Sequence, residues 1–234
     1  MSLRVGAAVV GGLLLLGLAG CATGGSGPGA GPSPSGVRAG EIAVDAAWLD
    51  GGRMIAVVTP GSSTCAPIVG EVDVESDGTL DVGLVDAEGV ACTADSVPRA
   101  VGVVLPEGVD PTRDLAVRVT YGIDSWGETD LDGFDGAAVE EYTPSAGWVD
   151  DGLFALVTWG SSGCVPEVES VKVAAADAVT VTFVTPPADQ VCTMDMGPRI
   201  ALVSVDGVDD DAAVTLTLTG GSDFGAPMTV PIEG

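Results

Sequence analysis

Two short blocks, each occurring twice, hold the residues best suited to chemistry. Gly61-Ser62-Ser63-Thr-Cys65-Ala-Pro67 returns as Gly160-Ser161-Ser162-Gly-Cys164-Val-Pro166. Cys92-Thr93-Ala-Asp95-Ser-Val-Pro98-Arg99 returns as Cys192-Thr193-Met-Asp195-Met-Gly-Pro198-Arg199. Paired serines beside glycine suggest a nucleophile, but a hydrolytic serine needs a base within hydrogen-bond reach. The 234-residue chain has no histidine, and its one lysine, Lys172, stands where the first copy has Asp73. Nor is the block a GxSxG strand-to-helix elbow. It reads instead as a turn whose hydroxyls bond the backbone beside a half-cystine. Asp95 and Arg99 stand four apart, as do Asp195 and Arg199. One helical turn, capped by Thr93 or Thr193, would make each pair ion-pair neighbours. With the serines this gives a polar corner twice over: Ser62, Ser63, Asp95 and Arg99, then Ser161, Ser162, Asp195 and Arg199. Such a corner suits either ligand contact or a braced loop, and the expectation is a protein that is not an enzyme.

A second constellation is acidic. Glu128, Asp130, Asp132 and Asp135, with Gly133 at the sixth position, approach the oxygen spacing of an EF-hand-type calcium loop. The first position is Glu rather than Asp, however, and the twelfth is Val139 with Glu140 one place late. The segment reads either as a weak calcium site or as an acidic solvated linker, and no other cofactor is expected. Asp150-Asp151 and Asp209 to Asp211 read as loop charges. Trp48 and Trp148 read as core or sheet-edge residues rather than a sugar-stacking platform, because aromatics make up only 4% of the chain. Acidic residues (34) outnumber basic ones (8) for a net charge of −26, which disfavours nucleic-acid partners. The enzymatic route left open is a carboxylate pair of glycosidase type, and the sequence locates no such cleft.

The elements that must position these residues are strands. The two blocks, together with Trp48-Leu-Asp50-Gly-Gly52 and Trp148-Val-Asp150-Asp-Gly152, recur in the same order at an offset of 99–100 residues. That period is too long for a solenoid unit and matches a duplicated domain. Each copy has short β-branched runs, such as Met54–Thr59 and Leu115–Tyr121, or Leu153–Thr158 and Val179–Thr185. Several alternate with period two, as in Val214-Thr-Leu216-Thr-Leu218-Thr, and Gly, Asp and Pro clusters punctuate them. A leading strand at about 42–48 brings the total to roughly six per copy. The segment 122–140, and its shorter counterpart 220–234, reads as linker or edge hairpin. The fold class is therefore all-β: two tandem homologous sandwich-like domains.

Five cysteines complete the arithmetic. Four allow three pairings, but each copy carries its own pair, 27 and 28 residues apart, which selects Cys65–Cys92 and Cys164–Cys192. A four-cysteine metal site would want CxxC spacing that is absent. The fifth is Cys21. Arg4 precedes a 16-residue apolar run, Val5–Gly20, of which five residues are glycine. That is short for a membrane span and apt for an export signal. The run ends Leu18-Ala19-Gly20-Cys21, which resembles the lipobox of bacterial lipoproteins at all four positions. The resemblance implies a signal peptide over 1–20, diacylglyceryl on Cys21 and cleavage before it. Residues 21–40, rich in Gly, Pro and Ser, would be a flexible tether. The β repeats then occupy 41–140, including the acidic linker, and 141–234. The Ala, Val, Gly and Asp bias and the paired blocks look like a module of exported actinobacterial lipoproteins, a likeness that implies location and no activity. The expected partners are membrane lipid through Cys21 and an extracellular protein or envelope ligand, on the outer side of the cell membrane.

Overall fold

Met54 to Val58 and Phe154 to Val157 are unbroken apolar runs, and an unbroken run makes a strand covered on both faces. In the computed structural model, which describes residues 40–209 and 212–234, both runs are buried throughout. The expected export signal, Cys21 and the expected tether up to residue 39 lie outside the described residues, as do Asp210 and Asp211. Among the described residues there is no α-helix, only a 3-10 turn at Asp50–Gly52 between strands.

Each copy is a seven-stranded sandwich of a three-stranded and a four-stranded sheet. The first copy runs β1 Asp45–Leu49, β2 Met54–Gly61, β3 Ile68–Val74, β4 Leu80–Val85, β5 Val97–Val104, β6 Leu115–Tyr121 and β7 Ser125–Leu131. The second runs β8 Ser145–Asp150, β9 Leu153–Gly160, β10 Val168–Ala175, β11 Ala178–Phe183, β12 Gly197–Ser204, β13 Val214–Gly220 and β14 Phe224–Glu233. Sheet order is β1-β2-β5 and β3-β4-β6-β7 in the first copy, and the second repeats it as β8-β9-β12 and β10-β11-β13-β14. In both copies the four-stranded sheet contains one parallel pair, β4 with β6 and β11 with β13. The sheets of the second copy are also joined at one edge, where Ile232 and Glu233 of β14 pair in parallel with Ala146 and Gly147 of β8.

Period-two side chains supply three apolar layers. Ile55 and Val57 of β2 face Leu80, Val82 and Leu84 of β4 and Leu115, Val117 and Val119 of β6. Phe154 and Leu156 of β9 face Val179, Val181, Phe183, Leu216 and Leu218 in the second sandwich. The alternate residues, Met54 and Ala56 of β2 and Ala155 and Val157 of β9, meet in a third cluster shared by both copies, with Ala47, Leu49, Ile200 and Leu202. The three-stranded sheets thus lie back to back, β1 against β8 and β5 against β12. The result is a stack of four layers, 4-3-3-4, the two layers of the second copy being continuous through β14 and β8, arranged like an isologous dimer within one chain.

Seven strands per copy exceed the six expected. The additional strand is β7, whose Ser-Trp-Gly-Glu-Thr-Asp-Leu sequence shows no apolar alternation. It pairs with β6 along its whole length, so the segment beginning at residue 122 is an edge hairpin of the first sandwich before it becomes a connection. Its counterpart in the second copy, β14, fills most of the segment 220–234, from Phe224 to Glu233.

Candidate functional site

The two disulfides form as the duplication implied, Cys65–Cys92 and Cys164–Cys192, with Cα atoms 5.6 and 5.5 Å apart. Each ties the turn after β2 or β9 to the loop before β5 or β12. On one side of each bridge the expected serine, threonine and aspartate residues come together. Ser62 Oγ lies 2.8 Å from Thr93 Oγ1, and the Ser63 amide donates to Asp95 Oδ1 at 3.2 Å. Ser161 Oγ lies 2.7 Å from Thr193 Oγ1, and the Ser162 amide donates to Asp195 Oδ1 at 3.2 Å. The threonine hydroxyls also donate to these aspartates. The bonds from Thr93 and Ser63 hold the Asp95 carboxyl down at about 2. Bonds from Ser162 and Thr193 hold Asp195 at about 2 as well. These groups are engaged with one another, so the hydroxyls brace the loops.

The arginines go elsewhere, against expectation. No helical turn joins Asp95 to Arg99 or Asp195 to Arg199. Pro98 and Pro198 push the preceding residue into extended backbone, and Val97 and Gly197 open β5 and β12. Arg99 and Arg199 are buried, at 9% and 6% exposure, on the far side of each bridge. Arg99 Nη1 donates to the Cys65 carbonyl at 2.5 Å and Nη2 to the Pro60 carbonyl at 3.1 Å. Arg199 Nη1 donates to the Cys164 carbonyl at 3.2 Å and Nη2 to the Trp159 carbonyl at 2.8 Å. This arrangement accounts for the glycine that opens each Gly-Ser-Ser block. A Cβ on Gly61 would lie 2.1 Å from Arg99 Nη2, and one on Gly160 would lie 2.8 Å from Arg199 Cζ.

The remaining partner of each arginine differs between the copies. Arg99 Nη2 donates to Tyr121 Oη at 3.3 Å and its Cζ lies 5.6 Å from the Tyr121 ring centre, while Tyr121 donates to Asp86. Burial, with the Asp86 bond, pushes the Tyr121 phenol up. Arg199 Nη2 instead meets Asp223 Oδ2 at 2.6 Å. Beside Arg199 opens a cavity of about 490 Å³, reached by Cys164 and Cys192 and walled by Phe183, Phe224, Pro166 and Pro187. The first copy has a shallower depression over Arg99 and Tyr121. Sequence reasoning missed Asp223, Tyr121, Phe183 and Phe224 as members of these corners. The usable signal was a mismatch between otherwise matched copies, Tyr121 against Gly220 and Ser125 against Phe224.

The acidic segment runs along the edge strand β7 and the chain that follows it. Glu128 and Asp130 lie in β7, where alternate residues share a face, and Glu128 pairs with Arg118 at 3.1 Å. Asp132 and Asp135 follow, all four side chains being exposed. Among the described residues no group of three or more Asp, Glu, Cys or His side chains is placed to hold a metal ion. Trp48 is buried, donates from Nε1 to the Asp132 carbonyl at 2.8 Å and packs on Phe134. Trp148 packs edge-on against Phe154.

The two bridges suit an oxidising compartment. Among the described residues no helix is long and apolar enough to cross a membrane. No protein-family model, curated protein or solved structure matches the chain.

Proposed function

We propose that this protein is an exported lipoprotein, held to the outer side of the cell membrane by diacylglyceryl on Cys21, and that it works by binding rather than by catalysis. The anchoring half rests on the lipobox-like Leu18–Cys21 and on the Gly/Pro/Ser stretch that follows. The binding half rests on one observation: the cavity beside Arg199, lined about equally by apolar surface and by polar and charged groups. Its volume of about 490 Å³ falls in the range of small-ligand sites. The bridge, the braced serine loop and the buried guanidinium hold its walls on strand ends, which keeps such a site preformed. The Ser161 and Ser162 hydroxyls contact Thr193, and the carboxylate bonded to Ser162, that of Asp195, is held at about 2, which makes it a weak base. That favours a structural part for them over nucleophilic attack.

Two measurements test the reading. Metabolic labelling with a fatty-acid analogue should mark the wild-type protein and leave Cys21→Ser unlabelled and released from membranes; labelling at another residue would contradict the anchor. Screening a chemically diverse fragment set by NMR against the full-length protein in detergent should perturb resonances of Val165, Val184, Gln190 and Ser222. Hits confined to other surfaces would contradict the site.

A further inference from the structure

Tyr121 and Gly220 hold one place in the two copies. Tyr121 pairs with Ser125 across its hairpin and lies beside Leu84 of the parallel neighbour. Gly220 pairs with Phe224 across its hairpin and lies beside Phe183. In the first copy the Tyr121 phenol reaches from the end of β6 over the Arg99 guanidinium to Asp86, just past β4. In the second copy no side chain leaves this place. Gly220 has φ +77°, and a Cβ there would lie 2.6 Å from the Phe183 carbonyl oxygen. The space between Arg199 and the chain after β11, at Val184 and Pro186, belongs to the cavity.

We propose that the second copy's corner binds a phenolic ring supplied from outside, in the place that Tyr121 fills in the first copy. The proposal rests on the reading of this corner as a ligand site and names the ligand's class. Three features favour a phenol. The core under the cavity has become aromatic where the internal phenol is missing: Phe183 and Phe224, both buried, replace Leu84 and Ser125, stack with centroids 5.3 Å apart and form the cavity floor. Ring-on-ring packing adds to simple burial. The Arg199 guanidinium lacks the ring that covers Arg99, and a cation beside a π-face is attractive. Asp223, 40% exposed at its side chain, brings a carboxylate to the site as Asp86 does for Tyr121, placed to accept a hydrogen bond from a phenol hydroxyl. Glu167 and Asp189 line the same cavity. With Asp223 they turn away phenols that carry phosphate or carboxylate. The ring could arrive on a free small molecule or on a tyrosine of another protein; the recognition chemistry is the same.

Calorimetric and saturation-transfer NMR titrations of the full-length protein in detergent test this, with N-acetyltyrosinamide as the probe. The expected result is one saturable site, weakened by about tenfold or more when the probe is N-acetylphenylalaninamide, which lacks the hydroxyl. Val184→Trp, at a partly exposed position lining the cavity, should abolish binding. Tyr121→Gly should open the first corner and raise the stoichiometry from one to two. No saturation by about 10 mM, or binding unchanged in Val184→Trp, overturns the proposal. A pentapeptide with central tyrosine that binds about tenfold tighter than the free amide supports a protein-borne ring, and equal or weaker binding supports a small molecule. If fragments of other classes perturb the cavity while phenols do not, the ligand class fails and the site reading stands. Silence of every probe there removes both.

Discussion

Arg99 and Arg199 each donate to two backbone carbonyls. Each bonds the half-cystine carbonyl and the carbonyl two residues before the serine pair. Charge-assisted bonds of this kind contribute about 1.5–3 kcal/mol, and removing one partner strands the other in a dry place. Arg199→Met should therefore destabilise the protein by about 3 kcal/mol or more, read from urea midpoints. Gly160→Val should act in the same direction by evicting the guanidinium. The aspartates on the other side of the bridges give a pH signature. Asp95 and Asp195 ionise at about 2 when folded, below the ordinary carboxylate value. Their stabilising contribution is complete above about pH 4 and is lost as pH falls through about 2. The melting temperature of wild type should fall over that window more steeply than that of Asp95→Asn/Asp195→Asn; parallel curves would contradict it. The residue types of these corners were readable in the sequence, but their partners were not. Pairing Asp95 with Arg99 assumed a helical turn, and proline at 98 and 198 sends the backbone into strand instead. Asp223 lies 24 residues from Arg199 in sequence, beyond the reach of any local spacing rule.

At the scale of elements, burial on both faces explains which strands could be read. Strands β2 and β9 announce themselves as unbroken apolar runs, and β4, β6, β11 and β13 as alternating ones. Strand β7 does not, because the inward residue at its middle is Gly127 and the rest is polar or half-exposed. Gly127 is needed there: a Cβ would lie 2.4 Å from the Ile42 carbonyl oxygen. The bridges also act at this scale. Each closes a loop of 27 or 28 residues, which the chain-entropy model values at about 3.5 kcal/mol. Cys65→Ala/Cys92→Ala should cost roughly that much by chemical denaturation, and an unchanged midpoint would contradict it.

For the whole molecule, duplication was readable and back-to-back packing was not. The matched blocks lie at strand ends and in the turns beside them, whereas the shared layer mixes small and large apolar residues that do not mark their partner. Ala47, Ala56 and Ala155 lie in it, and Gly102 stands where Ile200 Cδ1 and Met54 Sδ would meet a Cβ at 3.0 and 3.1 Å. Gly147 is tighter still, since a Cβ there would lie 2.3 Å from the Trp48 carbonyl oxygen across the junction. The measurement that tests the central claim most directly is therefore differential scanning calorimetry of the full-length protein and its Gly147→Ala variant. If the two sandwiches share one core, wild type melts in a single transition whose calorimetric and van't Hoff enthalpies agree, and Gly147→Ala moves that whole transition to lower temperature. Two separate transitions, with the variant shifting only one of them, would contradict the account.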